Sequence, residues 1–330
     1  MREFEEIATM KLSCGLVPGP EIVEQARLAE SLGYARVWTF DSPALYGDLF
    51  IALARVGENT ERIGLGTAVL VPSTRNVLTA ASAIASIEQL APGRLEVAVG
   101  TGFTARALFG KRPLSWKTTG TWISQLRGLL RGEQVEVEGQ LTQMIHPAKC
   151  APPRPIETPI LVAANGPKGL EVARKIGDGI MCINTPQPGF GHCALLAYGT
   201  VMDEGESFDT ARVFEAIAPG IAVAYHGTWQ AAGEAVDALP GGKAWREEIE
   251  AVPEAARHLA VHQGHMVELS ELDRRHISPA LGTMTFSGTR DTLRARIAEL
   301  ESQGMSELVW TPCGPDIERE LHAMAQVLQS

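Results

Sequence analysis

The sequence has no uninterrupted apolar run of about 18 residues, so it predicts no transmembrane helix. It also has no run rich in lysine or arginine, and its net charge is −10. Because a nucleic-acid-binding protein presents a basic surface, this balance argues against nucleic acid as a partner. The first ten residues, MREFEEIATM, are too acidic and too polar for a signal peptide. We therefore expect neither a membrane nor a nucleic acid among the partners.

Cysteine is also scarce. The chain has five cysteines, which are scattered and show no C-x-x-C spacing. An odd number without paired spacing argues against a disulfide framework and against a zinc knuckle. A reducing cytoplasm is therefore the expected location.

What the sequence does have is a regular alternation of strand-like and helix-like segments over 330 residues. The predicted strands lie at 10–17, 34–41, 62–72, 93–102, 158–165, 179–184, 214–226 and 306–314. Several are continuous apolar runs, as is typical of a parallel sheet buried on both faces. Eight such units in about 300 residues predict an α/β fold of the (β/α)8 TIM-barrel type, in a single domain over residues 1–330. The alternative is a doubly wound open sheet, but no early G-x-G-x-x-G opens the chain.

Two segments interrupt this rhythm. Residues 133–144 alternate polar and apolar side chains and predict a short hairpin. Residues 227–286 form a much longer irregular stretch between the seventh predicted strand and the helix before the eighth. A βα connection of that length is unusual, and in a barrel it lies on the face that carries active sites. We expect a mostly helical lid or pocket wall there, with a plain packing insertion as the alternative.

The carboxyl ends of the predicted strands carry small and polar residues, which let a flat ligand approach the backbone. These ends are Asp41-Ser42, Thr67-Ala68-Val69, Gly100-Thr101-Gly102-Phe103, Asn165-Gly166-Pro167-Lys168 and Asn184. At the fourth of them a strand passes directly into a helix. A helix N-terminus offers unpaired N–H groups and partial positive charge, so this turn suits a phosphate. On spacing alone, a simple strand-to-helix turn is the alternative.

Three stretches carry a family resemblance: AESLGYARVWTFD, RIGLGTAVLVPSTRNVLTAASAIASIEQLAPGRLEVAVGTG and PILVAANGPKGLEVARKIGDGIMCIN. They span most of residues 20–186. With them the chain resembles the luciferase-like superfamily of flavin- and deazaflavin-dependent oxidoreductases, and most of all methylene-tetrahydromethanopterin reductase and its relatives. The resemblance implies a barrel that binds an isoalloxazine-type ring at its C-terminal face. The cofactor would be FMN or the deazaflavin coenzyme F-420, and the G-P-K turn favours F-420.

The resemblance also assigns residues to the cofactor. It places Asp41 near the polar edge of the ring and a non-proline cis peptide at Ala68–Val69. Gly100 to Gly102 match the loop beside the ring, and Gly166 to Lys168 match the phosphate-binding turn. Together with the other strand ends, the predicted cofactor-binding residues are Asp41, Thr67, Ala68, Val69, Gly100, Thr101, Gly102, Asn165, Gly166, Pro167, Lys168 and Asn184.

Two departures from the family bear on the substrate. F-420-dependent glucose-6-phosphate dehydrogenases carry a histidine after the strand-two aspartate and a glutamate after the strand-four G-T-G. This chain has Ser42 and Phe103 at those positions. The resemblance therefore excludes that sugar phosphate, and Phe103 suggests an apolar or aromatic substrate, unless it is only a core residue.

Three histidines in the long insertion are candidates for the substrate side. His258, His262 and His265 are spaced i, i+4 and i+7, which predicts one helical face. A neutral imidazole can donate or accept a proton near pH 7. We predict His262, His265 and Asp41 as catalytic residues, and Cys14, Ser42, Phe103, His258 and His262 as substrate-pocket residues. Without an H-E-x-x-H pattern, no metal site is predicted.

The sequence thus favours an F-420-dependent oxidoreductase that transfers a hydride between the deazaflavin and a small organic substrate. One alternative is an FMN-dependent monooxygenase that uses reduced flavin and O2, supplied by a separate reductase. The other is a non-catalytic flavin-binding relative. By resemblance, a homo-oligomer, a dimer, is expected.

Overall fold

The computed structural model describes residues 10–328. Within them the strands are, in chain order, β1 (Lys11–Leu16), β2 (Arg36–Thr39), β3 (Gly64–Leu70), β4 (Leu95–Val99), β5 (Val135–Val137), β6 (Gln140–Thr142), β7 (Ile160–Ala163), β8 (Gly179–Ile183), β9 (Cys193–Gly199), β10 (Val201–Met202), β11 (Gly288–Thr289) and β12 (Glu307–Pro312). The helices are α1 (Ile22–Ser31), α2 (Leu49–Asn59), α3 (Val77–Leu90), α4 (Phe103–Ala107), α5 (Trp116–Arg131), α6 (Pro167–Ile176), α7 (Ala211–Ala232), α8 (Gly242–Ala251), α9 (Glu254–Val261), α10 (Glu271–His276), α11 (Arg290–Ser302) and α12 (Ile317–Leu328). Gly233–Ala238 and Pro279–Met284 form 3-10 helices.

Eight strands close into a parallel barrel in the order β1, β12, β9, β8, β7, β4, β3, β2. The predicted (β/α)8 TIM barrel is therefore confirmed. Strands β5 and β6 form the predicted antiparallel hairpin outside the barrel. Strands β10 and β11 form a separate two-stranded parallel sheet. No helix within residues 10–328 is long and apolar enough to cross a membrane.

The alternation of side chains along each strand divides the apolar residues between two layers. One set fills the barrel interior and consists of Trp38, Ala68, Ala98, Leu161, Met181, Ala194, Leu196 and Val309. The other set faces outward and packs against the surrounding helices in a much larger cluster. This division decides which strand residues can reach a site at the barrel mouth.

Local sequence signals explain where several helices begin. Asp48 caps α2 by accepting hydrogen bonds from the Phe50 and Ile51 amides. Asn76 and Ser115 cap α3 and α5 in the same way. Helix α6 has Pro167 in its first turn, where the missing N–H leaves no intrahelical bond unmade.

The predicted position of the seventh strand is wrong. Residues 214–226 lie inside α7, which is buried on several sides and therefore has an apolar run like that of a buried strand. A buried helix and a buried strand cannot be distinguished by such a run alone. The seventh barrel strand is β9, Cys193–Gly199, whose seven residues are all buried.

The insertion between β9 and α11 is mostly helical, as predicted, but it begins before residue 227. It contains α7 to α10 and both 3-10 helices. It has its own apolar cluster, built around Ile217, Tyr225, Trp245 and Ile249. The insertion follows the carboxyl end of a barrel strand and therefore lies on the face where (β/α)8 barrels carry their sites.

Candidate active site

A cavity of about 220 Å3 lies at the barrel mouth, between the strand ends and the insertion. Its lining includes Phe40, Asp41, Ser42, Tyr46, Ala68, Val69, Val71, Gly102, Phe103, Thr104, Met181, Ile183, Leu196, Tyr198, Val223, His265, Met266 and Thr311. We call this cavity the mouth pocket. Most of the lining is apolar, with a few polar groups, which is the composition expected of a small-molecule site.

The wall of the mouth pocket contains the end of β3. The Ala68–Val69 peptide bond is cis, as the family resemblance implies. The register between β3 and β4 shifts between Ala68 and Leu70, so the chain bulges at this point. Ala68 and Val69 both line the pocket, and their predicted place beside a ring stays a prediction.

Asp41 lines the same wall, but its carboxylate already has partners within the protein. Oδ2 accepts hydrogen bonds from the Val71 amide at 3.1 Å and from the Thr74 hydroxyl at 2.7 Å. Oδ1 is 3.2 Å from Arg75 Nη2. With 4% of its surface exposed, Asp41 secures the loop after β3. Its predicted catalytic role stays a prediction.

The predicted phosphate turn lies at the start of α6. Gly166 is the N-cap and makes no side-chain capping bond, so the first-turn N–H groups have no capping partner. Gly166, Pro167 and Lys168 are exposed. Asn165 ties the turn to the mouth pocket, because its side chain bonds both the N–H and the carbonyl of Ile183. The cofactor role of these residues stays a prediction.

Two further polar groups reach the pocket from the barrel. Thr311 Oγ1 is buried and has no hydrogen-bond partner. Tyr198 is buried, which raises its pKa to about 12, although a hydrogen bond with the Asn184 side chain opposes this shift. Asn184 itself is exposed and has a positive φ of 57°. It therefore acts on the pocket through Tyr198 and does not line it.

The histidines do not lie on one helical face, because α9 ends at Val261 and His262 is its C-cap. A turn nevertheless brings His262 and His265 together, with 3.4 Å between their Nδ1 atoms. Of the two, His265 lines the mouth pocket. Burial and the neighbouring His226 lower the pKa of His262 to about 3 and place that of His265 well below 6.5. Both rings are therefore neutral at pH 7.

His262 and His258 are not in the mouth pocket, contrary to the prediction. His262 is fully buried behind His265, where its Nε2 lies 2.8 Å from Gln230 Nε2. His258 lines a neighbouring cavity of about 590 Å3 together with Phe103 and Trp229. Phe103 borders both cavities and is 42% exposed, so it is not a core residue.

Several other predicted residues are close to the mouth pocket without lining it. Cys14 packs in the outer layer, where burial raises the pKa of its thiol, so the substrate-pocket prediction is wrong. Thr67 is fully buried and donates to the Ala98 carbonyl. Gly100 lies behind Val69, since a Cβ there would be 2.6 Å from Val69 Cγ2. The Thr101 carbonyl accepts from the Leu114 amide. Side chains alternate along each strand, and those of Cys14 and Thr67 point outward from the barrel.

Sequence reasoning missed several lining residues. Tyr46, Thr104, Met181, Tyr198, Val223 and Thr311 all border the mouth pocket. Thr104, Met181 and Thr311 lie in or next to predicted strands. Because side chains alternate between the two faces of a strand, assigning a face to each residue near the strand ends could have identified them. Val223 lay in the segment taken for a strand, and only its correct placement in α7 brings it to the pocket.

A closed parallel barrel with a pocket at the carboxyl ends of its strands defines the protein as a (β/α)8-barrel enzyme. The family model described as luciferase-like monooxygenase matches residues 7–307, and the chain belongs to this luciferase-like family. The predicted family and the prediction of an oxidoreductase are thereby confirmed.

Three relatives illustrate the likeness. A 5,10-methylenetetrahydromethanopterin reductase from Methanolobus tindarius is 36% identical over 177 residues, and this match covers 52% of either chain, about half the length of the relative. The protein of the same name from Archaeoglobus fulgidus is 26% identical over 96% of this chain and 98% of its own. The solved structure of a coenzyme F-420 dependent tetrahydromethanopterin reductase from Methanopyrus kandleri shares the fold, with a TM-score of 0.66 at 20% identity over 97% of this chain and 98% of its own.

Proposed function

We propose that the protein is an F-420-dependent oxidoreductase that transfers a hydride between the deazaflavin and a small, largely apolar organic substrate. The observation that carries this proposal is the apolar mouth pocket at the carboxyl ends of the barrel strands. The likeness to 5,10-methylenetetrahydromethanopterin reductases, and to a solved tetrahydromethanopterin reductase described as coenzyme F-420 dependent, supports the choice of cofactor.

The residues present fit a flat ring. Val69, Met181 and Leu196 supply apolar surface, and Thr311 Oγ1 is a buried polar atom without a protein partner. A ring edge rich in carbonyl and N–H groups would form a hydrogen bond with that hydroxyl, whose burial without a partner is unfavourable. The cavity of about 220 Å3 is smaller than the roughly 300–1,000 Å3 that encloses a whole drug-sized ligand. The cavity would therefore hold the ring alone, with the rest of the cofactor outside it.

The start of α6 is the proposed place for the phosphate of that tail. Its uncapped first-turn amides and partial positive charge favour an anion. Gly166 has no atom within 4 Å of the position a Cβ would take, so the turn is open to a ligand. The exposed Lys168 adds a positive charge beside it.

When bound in its reduced form, the cofactor supplies a hydride from the C5 atom of its ring. The protein's part is to exclude water and to bind the substrate atom that gains a proton. Thr104 and His265 both line the pocket, with 3.4 Å between Oγ1 and Nε2. Because His265 is neutral, we assign it the orientation of Thr104 rather than the role of an acid.

The test is a fluorescence titration of the purified protein with F-420 and with FMN, each oxidised and reduced. The variant Val223→Trp fills the mouth pocket from α7, because Val223 lines it. Ala224→Trp adds the same side chain to the next residue, which has similar exposure but does not line the pocket. We expect tight F-420 binding in the wild type and in Ala224→Trp, and a loss of at least tenfold in Val223→Trp.

Other results would point elsewhere. A preference for reduced FMN would overturn the proposal in favour of the monooxygenase, and oxygen consumption would then be measured. Binding of neither cofactor by a protein with a cooperative thermal transition would favour a non-catalytic relative. Equal binding by both tryptophan variants would show that the mouth pocket is not the ring site.

A further inference from the structure

Three buried histidine rings meet inside the insertion. His226 comes from α7, His262 ends α9 and His265 follows three residues later. They are 1%, 0% and 9% exposed. The ring centroids are 5.1 to 5.9 Å apart. Each ring has two polar nitrogens, and burial makes every unpaired one costly. The way these six nitrogens are satisfied shows what the cluster can bind.

On each ring, Nε2 faces a polar partner from outside the cluster. His226 Nε2 is 3.3 Å from both carboxylate oxygens of Asp273. His262 Nε2 faces Gln230, and His265 Nε2 faces Thr104. A ring that donates its Nε2–H outward keeps a lone pair on Nδ1. Histidines that bind metals are held in this way, by a carboxylate, carbonyl or hydroxyl on the nitrogen that does not bind the metal.

Gln230 is compatible with this assignment of the protons. Its Nε2 lies 2.8 Å from His262 Nε2, while its Oε1 is buried without a partner. The oxygen and nitrogen of an amide are distinguished only by their hydrogen bonds. Turning the amide places Oε1 on the Nε2–H of His262. In that orientation Oε1 accepts from His262 and the lone pair of His262 lies on Nδ1, while the amide NH2 group takes the buried position that has no partner.

The Nδ1 atoms of His262 and His265 have the spacing of two metal ligands. His262 Nδ1 and His265 Nδ1 are 3.4 Å apart. Two tetrahedral Zn²⁺ ligands at Zn–N distances of 2.0–2.1 Å are separated by roughly 3.3 Å. His226 Nδ1 is buried and has no hydrogen-bond partner. One nitrogen from each ring lies within 4.8 Å of one from each of the others.

We propose that His226, His262 and His265 form a binding site for Zn²⁺, with a fourth position open to water. The nearby Asp273, 3% exposed, supplies a negative charge on the outer side of His226. The ion would hold the segment that carries His265 and Met266 against α7. Both residues line the mouth pocket, so the site would position part of its wall.

The first experiment uses tag-free wild-type protein, since a histidine tag would bind the same ions. Metal content is measured by mass spectrometry after growth with added zinc. The protein is then stripped with a chelator and titrated with Co²⁺, followed by visible absorption. We expect one equivalent per chain, the bands of four-coordinate Co²⁺, and their loss when Zn²⁺ is added.

Two variants locate the site. His226→Gln removes one ligand, and we expect an affinity loss beyond the roughly 10- to 100-fold that loss of an outer partner costs. His276→Gln is the matched control, because His276 lies in the same insertion and bonds Glu248 outside the cluster. Zn²⁺ should raise the Tm of the wild type and of His276→Gln, and leave that of His226→Gln unchanged.

The proposal is overturned if the stripped wild type binds neither Co²⁺ nor Zn²⁺, or if His226→Gln binds them as tightly as the wild type. The three rings would then be a hydrogen-bonded packing cluster. If His226→Gln fails to fold, the stoichiometry, the Co²⁺ spectrum and the Tm shift of the wild type decide the question without it.

Discussion

Glu307 is a buried carboxylate at the start of β12, and its charge should stabilise the barrel strongly. It is 1% exposed and accepts 2.7 Å hydrogen bonds from Trp38 Nε1 and from His192 Nε2. Arg36 and Glu96 form an ion pair next to it, at the amino-terminal ends of β2 and β4. This cluster lies at the end of the barrel opposite the mouth pocket, where residues contribute to stability rather than to catalysis.

The size of the effect follows from the pKa of Glu307. Burial alone would raise this pKa, but the hydrogen bond from His192 and the charge of Arg36 outweigh it and lower the pKa from 4.5 to about 2. A difference of that size corresponds to about 3 kcal/mol in favour of the charged, folded form. Because the folded-state pKa is the lower one, this contribution is fully present above about pH 5 and is lost as the pH falls through about 2.

The substitution Glu307→Gln keeps the shape of the side chain and removes its charge. We expect the free energy of unfolding in urea to fall by about 3 kcal/mol at pH 7, with variant and wild type converging as the pH approaches 2. The difference between the two free energies of unfolding removes the effect of groups that titrate in both proteins. Glu299→Gln, at an exposed position on α11, is the control and should match the wild type throughout. A difference below about 1 kcal/mol at pH 7, or one that does not change with pH, would refute the reasoning.

Three further changes test the barrel, the pocket edge and the insertion. Gly66→Ala should destabilise by about 3 kcal/mol or more in urea unfolding, because its Cβ would lie 2.3 Å from Trp38 Cε3. An unchanged midpoint would show that the ring can move aside. Arg75→Gln removes a partner of the buried Asp41, so stability should fall by roughly 1–3 kcal/mol and limited proteolysis should cut the loop after β3 faster. Ile249→Ala should cost about 2–5 kcal/mol in the insertion core, and hydrogen exchange should rise there before it rises in the barrel strands.

The strands that were predicted correctly share a simple local pattern. β3 and β7, for example, are apolar runs bounded by glycine or proline, and the next regular element after each is a helix. Strand seven failed because the same kind of run occurs in α7, which is enclosed by the insertion core. Its true counterpart, β9, follows β8 with no helix between them, so the alternation of strand and helix did not reveal it.

The histidines show a different limit of prediction from the sequence. Sequence spacing grouped three of them on one helix, yet α9 ends before His262. The partner that completes the buried cluster is His226, 36 residues before His262 and on another helix. No local pattern relates the two positions, and the expectation of no metal site was made without His226. The zinc proposal therefore rests on packing rather than on a motif.

Strand and helix periodicity and turn residues are local properties of the chain, so they predicted the barrel and the helical insertion. The family was predicted from three stretches that resemble it. The sequence also identified much of the pocket wall, including the Ala68–Val69 bond. The packed structure was needed to show that α7 is a helix, that Val223 and Thr311 border the mouth pocket, and that His226 lies beside His262 and His265. Those facts depend on contacts between elements that are far apart in the sequence, and no short segment of the sequence specifies such contacts.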